Sequence, residues 1–165
     1  MKKTELSLRR YSQNDEALIT KWFHLPHVKK WFKDLDDWLS ELQNENKAYS
    51  FIEHFIAEVQ GIPIGFGQYA DVKLAAAIGG VDIAGEIGEC YGIDYFIGET
   101  KYLRQGYGKE LVELLVGEVS RKEGAKRVIA DPDAENLISI QLLLSLGFSY
   151  VECEGIYEKR FNCLK

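Results

Sequence analysis

Gly106 and Gly108, one residue apart, stand between Arg104 and Lys109 and run into the apolar stretch Glu110-Leu111-Val112-Glu113-Leu114-Leu115-Val116. A glycine turn at the head of a helix lets several backbone N–H groups point at one spot, where the helix dipole favours negative charge. The guest suited to such a turn is a phosphate or pyrophosphate, with Gln105, Gly106, Tyr107 and Gly108 as its backbone cradle and Arg104 and Lys109 as added charge. The same spacing also serves a plain tight turn between strand and helix. Two familiar phosphate cradles are excluded. A P-loop needs Ser or Thr after its Gly-Lys, but Glu110 follows Gly108-Lys109, and Leu103 stands where its first glycine would be. A dinucleotide fingerprint needs a third glycine where this chain has Leu111.

Acids suited to amine chemistry flank this turn. Asp94 lies in Tyr91-Gly92-Ile93-Asp94-Tyr95-Phe96-Ile97, a strand that leads through Gly98 to the turn. An alkyl ammonium is only about one part in a thousand neutral at pH 7, a penalty of roughly 4 kcal/mol. A positioned carboxylate removes that obstacle by taking the proton directly or through water, and Asp94 is the candidate base. Asp131 precedes Pro132 at the end of the strand Arg127-Val128-Ile129-Ala130, where α/β sheets expose ligand contacts; an Asx turn uses the same pattern. Trp31, Trp38 and Tyr69 are candidates to line a cation-binding cleft through their ring faces, whereas Trp22 and Phe32 read as core. His27 reads as a structural hydrogen-bonding residue of the helix pair.

The elements that must position these groups follow in order. Leu6 to Arg10 alternate as a first strand, and Ser12 with Asp15 resembles a capping box opening a helix with Ala17, Leu18, Trp22 and Phe23 as its buried stripe. Pro26 stops that helix and opens a second, short one carrying Val28, Trp31 and Phe32; a third includes Trp38, Leu39 and Leu42. Tyr49 to Glu58 and Ile64 to Tyr69 form a hairpin turning at Gly61-Ile62-Pro63. Val72 to Glu89 has no clear period and is read as a loop or broken strand near a binding site, with Asp82, Glu86 and Glu89 on a solvated face. Asn136 to Leu146 is helical and stops at Gly147, and Tyr150 to Glu154 pairs with Ile156 to Phe161 as a closing hairpin. This order predicts an α/β fold with a mixed sheet.

The chain of 165 residues is expected to form one domain spanning 1–165, with 46% hydrophobic and 28% charged residues as in ordinary globular proteins. A net charge of -6 argues against nucleic acid or an anionic membrane as partner and suits a cationic one. No membrane span or secretory h-region is evident. Cys90, Cys153 and Cys163 form no metal or disulfide pattern, and their odd count suits a reducing, cytoplasmic compartment. His24, His27 and His54 are not at zinc-ligand spacing, so no metal is expected.

Leu103-Arg104-Gln105-Gly106-Tyr107-Gly108 resembles the [QR]-x-x-G-x-[GA] acetyl-CoA signature of the GNAT N-acetyltransferases, with Leu103 departing at its first position. Asp131-Pro132-Asp133-Ala134-Glu135-Asn136 and the later Leu146-Gly147-Phe148 resemble the family's D-P-x-x-x-N…GF segment. Trp22, Pro26-His27-Val28, Trp31-Phe32, Gly61-x-Pro63-Ile64-Gly65-Phe66-x-Gln68 and Gly92-Ile93-Asp94 are together similar to the aminoglycoside 6′-N-acetyltransferase branch. Related N-acyltransferases, siderophore-type ones among them, share several of these elements. The resemblance implies a mostly antiparallel mixed sheet flanked by helices and splayed where acetyl-CoA, the cosubstrate, binds. It implies Asp94 as base, Asp131, Gln68 and Trp31 toward a small cationic amine, and Asn136 at the pantetheine arm. A backbone N–H around Phe96, Ile97 and Gly98 would polarise the thioester carbonyl. In that branch the role is antibiotic resistance, and a monomer or homodimer is expected. Family members often carry a tyrosine four residues before the closing Gly-Phe, as acid for the leaving thiolate. Leu143 stands there, which leaves the acid to Tyr107, Ser139 or water, or leaves the chain a non-catalytic CoA-binding sensor.

Overall fold

The computed structural model describes residues 4–162; Met1 to Lys3 and the third cysteine, Cys163, lie outside them. Segments of period-two alternation build one seven-stranded sheet. Its strands are β1 (Leu6–Arg10), β2 (Ile52–Val59), β3 (Ile62–Asp71), β4 (Cys90–Ile97), β5 (Arg127–Ala130), β6 (Ser149–Val151) and β7 (Ile156–Arg160). The spatial order is β1-β2-β3-β4-β5-β7-β6, and every neighbouring pair is antiparallel except β4–β5.

That parallel pair decides where a ligand can enter. Cys90, Tyr91 and Gly92 register with Arg127, Val128 and Ile129, and there the pairing stops. From Ile93 to Ile97, β4 keeps its ladder to β3 alone. The two parallel strands diverge toward their C-terminal ends, so main-chain groups on one edge of β4 face a cleft instead of a strand.

Helices cover both faces. On one, α1 (Glu16–Phe23), α2 (Pro26–Lys29) and α3 (Leu35–Gln43) bury Ile19, Trp22, Phe23, Val28 and Leu42 against Ile56, Phe66 and Phe96. A short α4 (Val72–Ala76) follows β3. On the other face α5 (Tyr107–Ser120) and α6 (Leu137–Ser145) bury Leu111, Leu115, Val119 and Leu143 against Phe55, Ile93, Ile97 and Val128. Alternation along β4 therefore turns Asp94 and Phe96 toward α1–α3, and Ile93, Tyr95 and Ile97 toward α5 and α6.

Several local expectations change. The buried stripe of α1 uses Ile19, while Ala17 is exposed. The α2 helix ends at Lys29, so Trp31 and Phe32 follow it in a turn instead of riding on it. Tyr49 to Phe51 are a turn before β2, and the hairpin bends at Gln60 and Gly61, both with positive φ, while Ile62 and Pro63 already belong to β3. The illegible Val72–Glu89 segment is α4 plus an ordered loop. Asp71 caps α4 by accepting from the N–H groups of Lys73 and Leu74, and its other oxygen holds the Gly88 N–H at 2.6 Å. Buried Arg127 donates to the Ala84 carbonyl and bridges to Glu154 and Glu158. These ties fix the loop against the N-terminal ends of β4 and β5, at the far end of the strands from the cleft.

Candidate active site

The cleft opens into a cavity of ≈ 640 Å³. Its wall includes β4 from Ile93 to Ile97, the Leu103–Lys109 turn, Ala130 to Asp133 after β5, the first turns of α6, and Trp31 and Trp38. Of the residues expected from sequence, Asp94, Asp131, Trp31, Phe96, Ile97, Arg104, Gly106, Gly108, Lys109 and Asn136 meet here. Gln68 reaches the site indirectly, and Gly98, Gln105 and Tyr107 stand outside the cavity wall. No residue of 72–89 borders the cavity; Asp82 pairs with Lys73, and Glu89 with Lys126. Among the described residues no three His, Cys, Asp or Glu side chains come together in a metal-ligating group, and no helix is long and apolar enough to cross a membrane.

The turn is shaped by two residues in the left-handed region, Arg104 (φ 58) and Gly106 (φ 81). Gly106 is the N-cap of α5, and at that φ a side chain would be strained. The N–H groups of Gly108 and Lys109 lie in the first turn of the helix, where no backbone acceptor precedes them. Arg104 and Lys109 flank them, and Lys33 adds a third cation to the cavity wall. Gln105 instead folds back, donating its side-chain amide to the Lys101 carbonyl at 2.5 Å. Tyr107 is buried, edge-to-face with Tyr102.

The end of β4 divides its labour between its two edges. Gly98 N–H donates to the Ile64 carbonyl at 2.8 Å, so it is engaged with β3. Alternation turns the main-chain groups of Ile97 and Tyr95 toward the cleft. The Ile97 carbonyl there lies 2.9 Å from His27 Nε2, which carries the proton and donates. His27 thus steadies the strand end, a structural hydrogen bond made to β4 instead of within the helix pair. Gly98 serves packing: a Cβ there would lie 2.2 Å from the Trp22 ring, which is fully buried and donates its N–H to Glu99 at 2.8 Å.

On the α1–α3 face, acids gather. Asp94 pairs in register with Gln68, whose side-chain amide donates to Asp94 Oδ2 at 3.1 Å. Burial pushes the Asp94 carboxyl above the ordinary range, Gln68 pulls it back, and Asp131 raises it further. Partial desolvation also lifts Asp131, at the cavity rim. Sequence reasoning missed Glu41 of α3. Burial, with Asp94 nearby, pushes Glu41 up to about 7 against the opposing pull of Gln68. Its Oε2 and the Oε1 of Gln68 are both buried without a hydrogen-bond partner. Neither residue lines the cavity, so both act on it through Asp94. Only its position one helical turn after Trp38 could have drawn attention to Glu41 in the sequence.

On the opposite face, Asn136 caps α6 by accepting from Ser139 N–H at 3.2 Å, and Ser139 Oγ lies 2.6 Å from the Tyr95 hydroxyl. Burial pushes the Tyr95 phenol up to about 12, so it stays protonated and able to donate. Leu143 is fully buried in the core beneath α6 and offers no polar atom.

A sheet opened between two parallel strands, with a helix N-terminus on one side and gathered acids on the other, is the build of a group-transfer enzyme. Its donor would be anionic and its acceptor cationic. The acetyltransferase (GNAT) domain model matches residues 12–153, and the chain belongs to that family. It is an acetyltransferase, and acetyl-CoA is the family's cosubstrate. Among solved structures, its fold is similar to that of the aminoglycoside acetyltransferase AAC(6')-Ib in complex with paromomycin and acetyl-CoA. The match has 23% identity and a TM-score of 0.81, and covers 94% of this chain and 93% of that one. The same enzyme with coenzyme A and kanamycin matches at 22% identity and a TM-score of 0.82, covering 94% and 95%. The aminoglycoside N(6')-acetyltransferase of Legionella pneumophila matches at 17% identity and a TM-score of 0.66, covering 98% and 94%.

Proposed function

We propose that the protein transfers the acetyl group of acetyl-CoA to a primary amine of a small polycationic acceptor of the aminoglycoside type. The observation that carries this reading is the set of acids around the cleft: Asp94 joined to Gln68, with Glu41 and Asp131 close enough to raise or be raised by it. Carboxyls lifted by desolvation and by one another are relieved when an ammonium enters among them. An acceptor carrying several ammonium groups relieves more of them than a monoamine. The rings of Trp31 and Trp38 in the same wall add apolar and cation–π surface.

The donor lies on the other side of the splay. Its pyrophosphate meets the α5 N-terminus with Arg104 and Lys109, its pantetheine runs along the free edge of β4 past Asn136, and the thioester carbonyl takes a hydrogen bond from the Ile97 N–H. His27, by fixing the Ile97 carbonyl, holds that strand end in place. Asp94 then takes the proton from the acceptor ammonium, the neutral nitrogen attacks the carbonyl carbon, the adduct nitrogen loses its second proton to water, and collapse of the tetrahedral adduct breaks the C–S bond. A raised Asp94 is a stronger base than an exposed carboxylate, which suits this step. The test is release of CoA thiol from acetyl-CoA with a panel of aminoglycosides, linear polyamines and matched monoamines. Turnover with polycations and little with monoamines is expected; equal rates for both, or none for any, would overturn the acceptor assignment.

A further inference from the structure

We propose that Tyr95, oriented by Ser139, is the hydrogen-bond donor to the CoA sulfur as it leaves, from a strand position opposite the helix site that holds Leu143. The inference rests on the acetyl-transfer reading and goes beyond it by naming the leaving-group side of the chemistry. Tyr95 follows Asp94 in β4, so alternation directs the two side chains to opposite faces of the splayed strand. A donor threaded through the splay has the amine and its base on one side and the sulfur on the other. Tyr95 is therefore on the side the base cannot serve.

Its hydroxyl is held in place from α6. The Asn136 cap fixes the Ser139 main chain, and Ser139 Oγ meets the Tyr95 hydroxyl at 2.6 Å. Other hydroxyls in the wall are worse placed. Ser145 donates to the Leu142 carbonyl at 2.7 Å, and Tyr102 packs edge-to-face against Tyr107 at the phosphate turn. Ser139 can accept from or donate to the phenol; when it accepts from another group and donates to Tyr95, the phenolic hydrogen is free for the sulfur.

The step balances without any further reactant. The amine nitrogen, its first proton already on Asp94, forms a bond to the carbonyl carbon, gives its second proton to water, and the C–S bond breaks with its electron pair on sulfur. With its phenol held at about 12, Tyr95 is a weaker acid than a thiol near ~8.5. It keeps its proton, stabilises the thiolate by a charge-assisted hydrogen bond, and leaves final protonation to solvent.

The readout is the ionisation of the thiol in the binary complex with CoA, followed by the ultraviolet absorbance of the thiolate against pH. Tyr95→Phe should raise the thiol pKa of bound CoA and lower kcat about tenfold to a hundredfold, the range for a hydrogen bond to a charged group. Its CoA dissociation constant below the thiol pKa, and its melting temperature, should stay near wild type. Ser139→Ala should shift both properties in the same direction by less. Identical thiol titrations for wild type and Tyr95→Phe, or an unchanged kcat, would overturn the proposal. A wild-type protein that binds no CoA would overturn the donor-site reading beneath it, a result distinguishable because the titration needs no acceptor.

Discussion

Glu41→Gln preserves side-chain shape and removes one acid from beneath α3, and its effect on stability should depend on pH with a defined sign. In the folded chain burial, with Asp94 nearby, pushes Glu41 from 4.5 to about 7. The native state therefore holds the Glu41 proton to higher pH than the unfolded chain does, and ionising it costs stability. That cost is absent below about pH 4.5, grows as pH rises toward 7 and is constant above. The gap of 7 minus 4.5, at about 1.36 kcal/mol per pH unit, corresponds to about 3.4 kcal/mol. The side chain is only partly covered, so solvent screening reduces this by about half, to roughly 1.5–2 kcal/mol. The introduced amide gains a donor facing the unpartnered Gln68 Oε1, which favours the same direction. Urea unfolding without ligand should find the variant more stable than wild type by that amount at about pH 8, with a melting temperature higher by roughly 3–8 °C, and equal to wild type at about pH 4.5. Asp94 titrates in both proteins and largely cancels in the difference. Polycation binding should weaken in the variant, since the lost carboxylate is what the ammonium would relieve. A stability difference independent of pH, or a variant less stable at about pH 8, would refute the reasoning.

Asp94→Asn should lower kcat by a factor of about 10²–10⁴, as for loss of a general base, with CoA affinity by calorimetry unchanged. Because burial raises Asp94 in the native state, the same substitution should stabilise the unliganded protein above the ordinary carboxylate range and not below it, measured by melting at about pH 8 and about pH 3.5. Gly98→Ala sets a Cβ against a fully buried ring and should cost about 3 kcal/mol or more, lowering the melting temperature by roughly 6–12 °C; a near-neutral result would return Gly98 to a role in admitting the donor. Lys109→Ala, at a cation on the cavity wall, should weaken CoA binding at low salt and have little effect at high salt, where surface charge is screened.

What the sequence could and could not reveal divides along the range of each signal. The glycine turn, the Asp94 strand and the Asn136 cap were legible because their chemistry is local: φ values, alternation and a side chain reaching its own helix. Ala17 and Trp31 were misplaced by one step of a helix or one turn beyond it, where only packing against Phe96 and its neighbours decides. Val72–Glu89 was unreadable because what orders it is remote. Asp71 reaches Gly88 and Arg127 reaches Ala84, and neither contact leaves a period in the segment itself. Glu41 and Tyr95 were missed for the same reason. Glu41 matters only because α3 folds over the Gln68–Asp94 pair, and Tyr95 only because α6 brings Ser139 across the cleft. Both lie beside residues that were picked out, one turn after Trp38 and one residue after Asp94. A splayed strand makes that last adjacency informative: once β4 loses its partner beyond Gly92, consecutive residues face opposite sides of the sheet beside the opened cleft. The neighbour of a base in such a strand is then the first place to seek the group that serves the leaving sulfur.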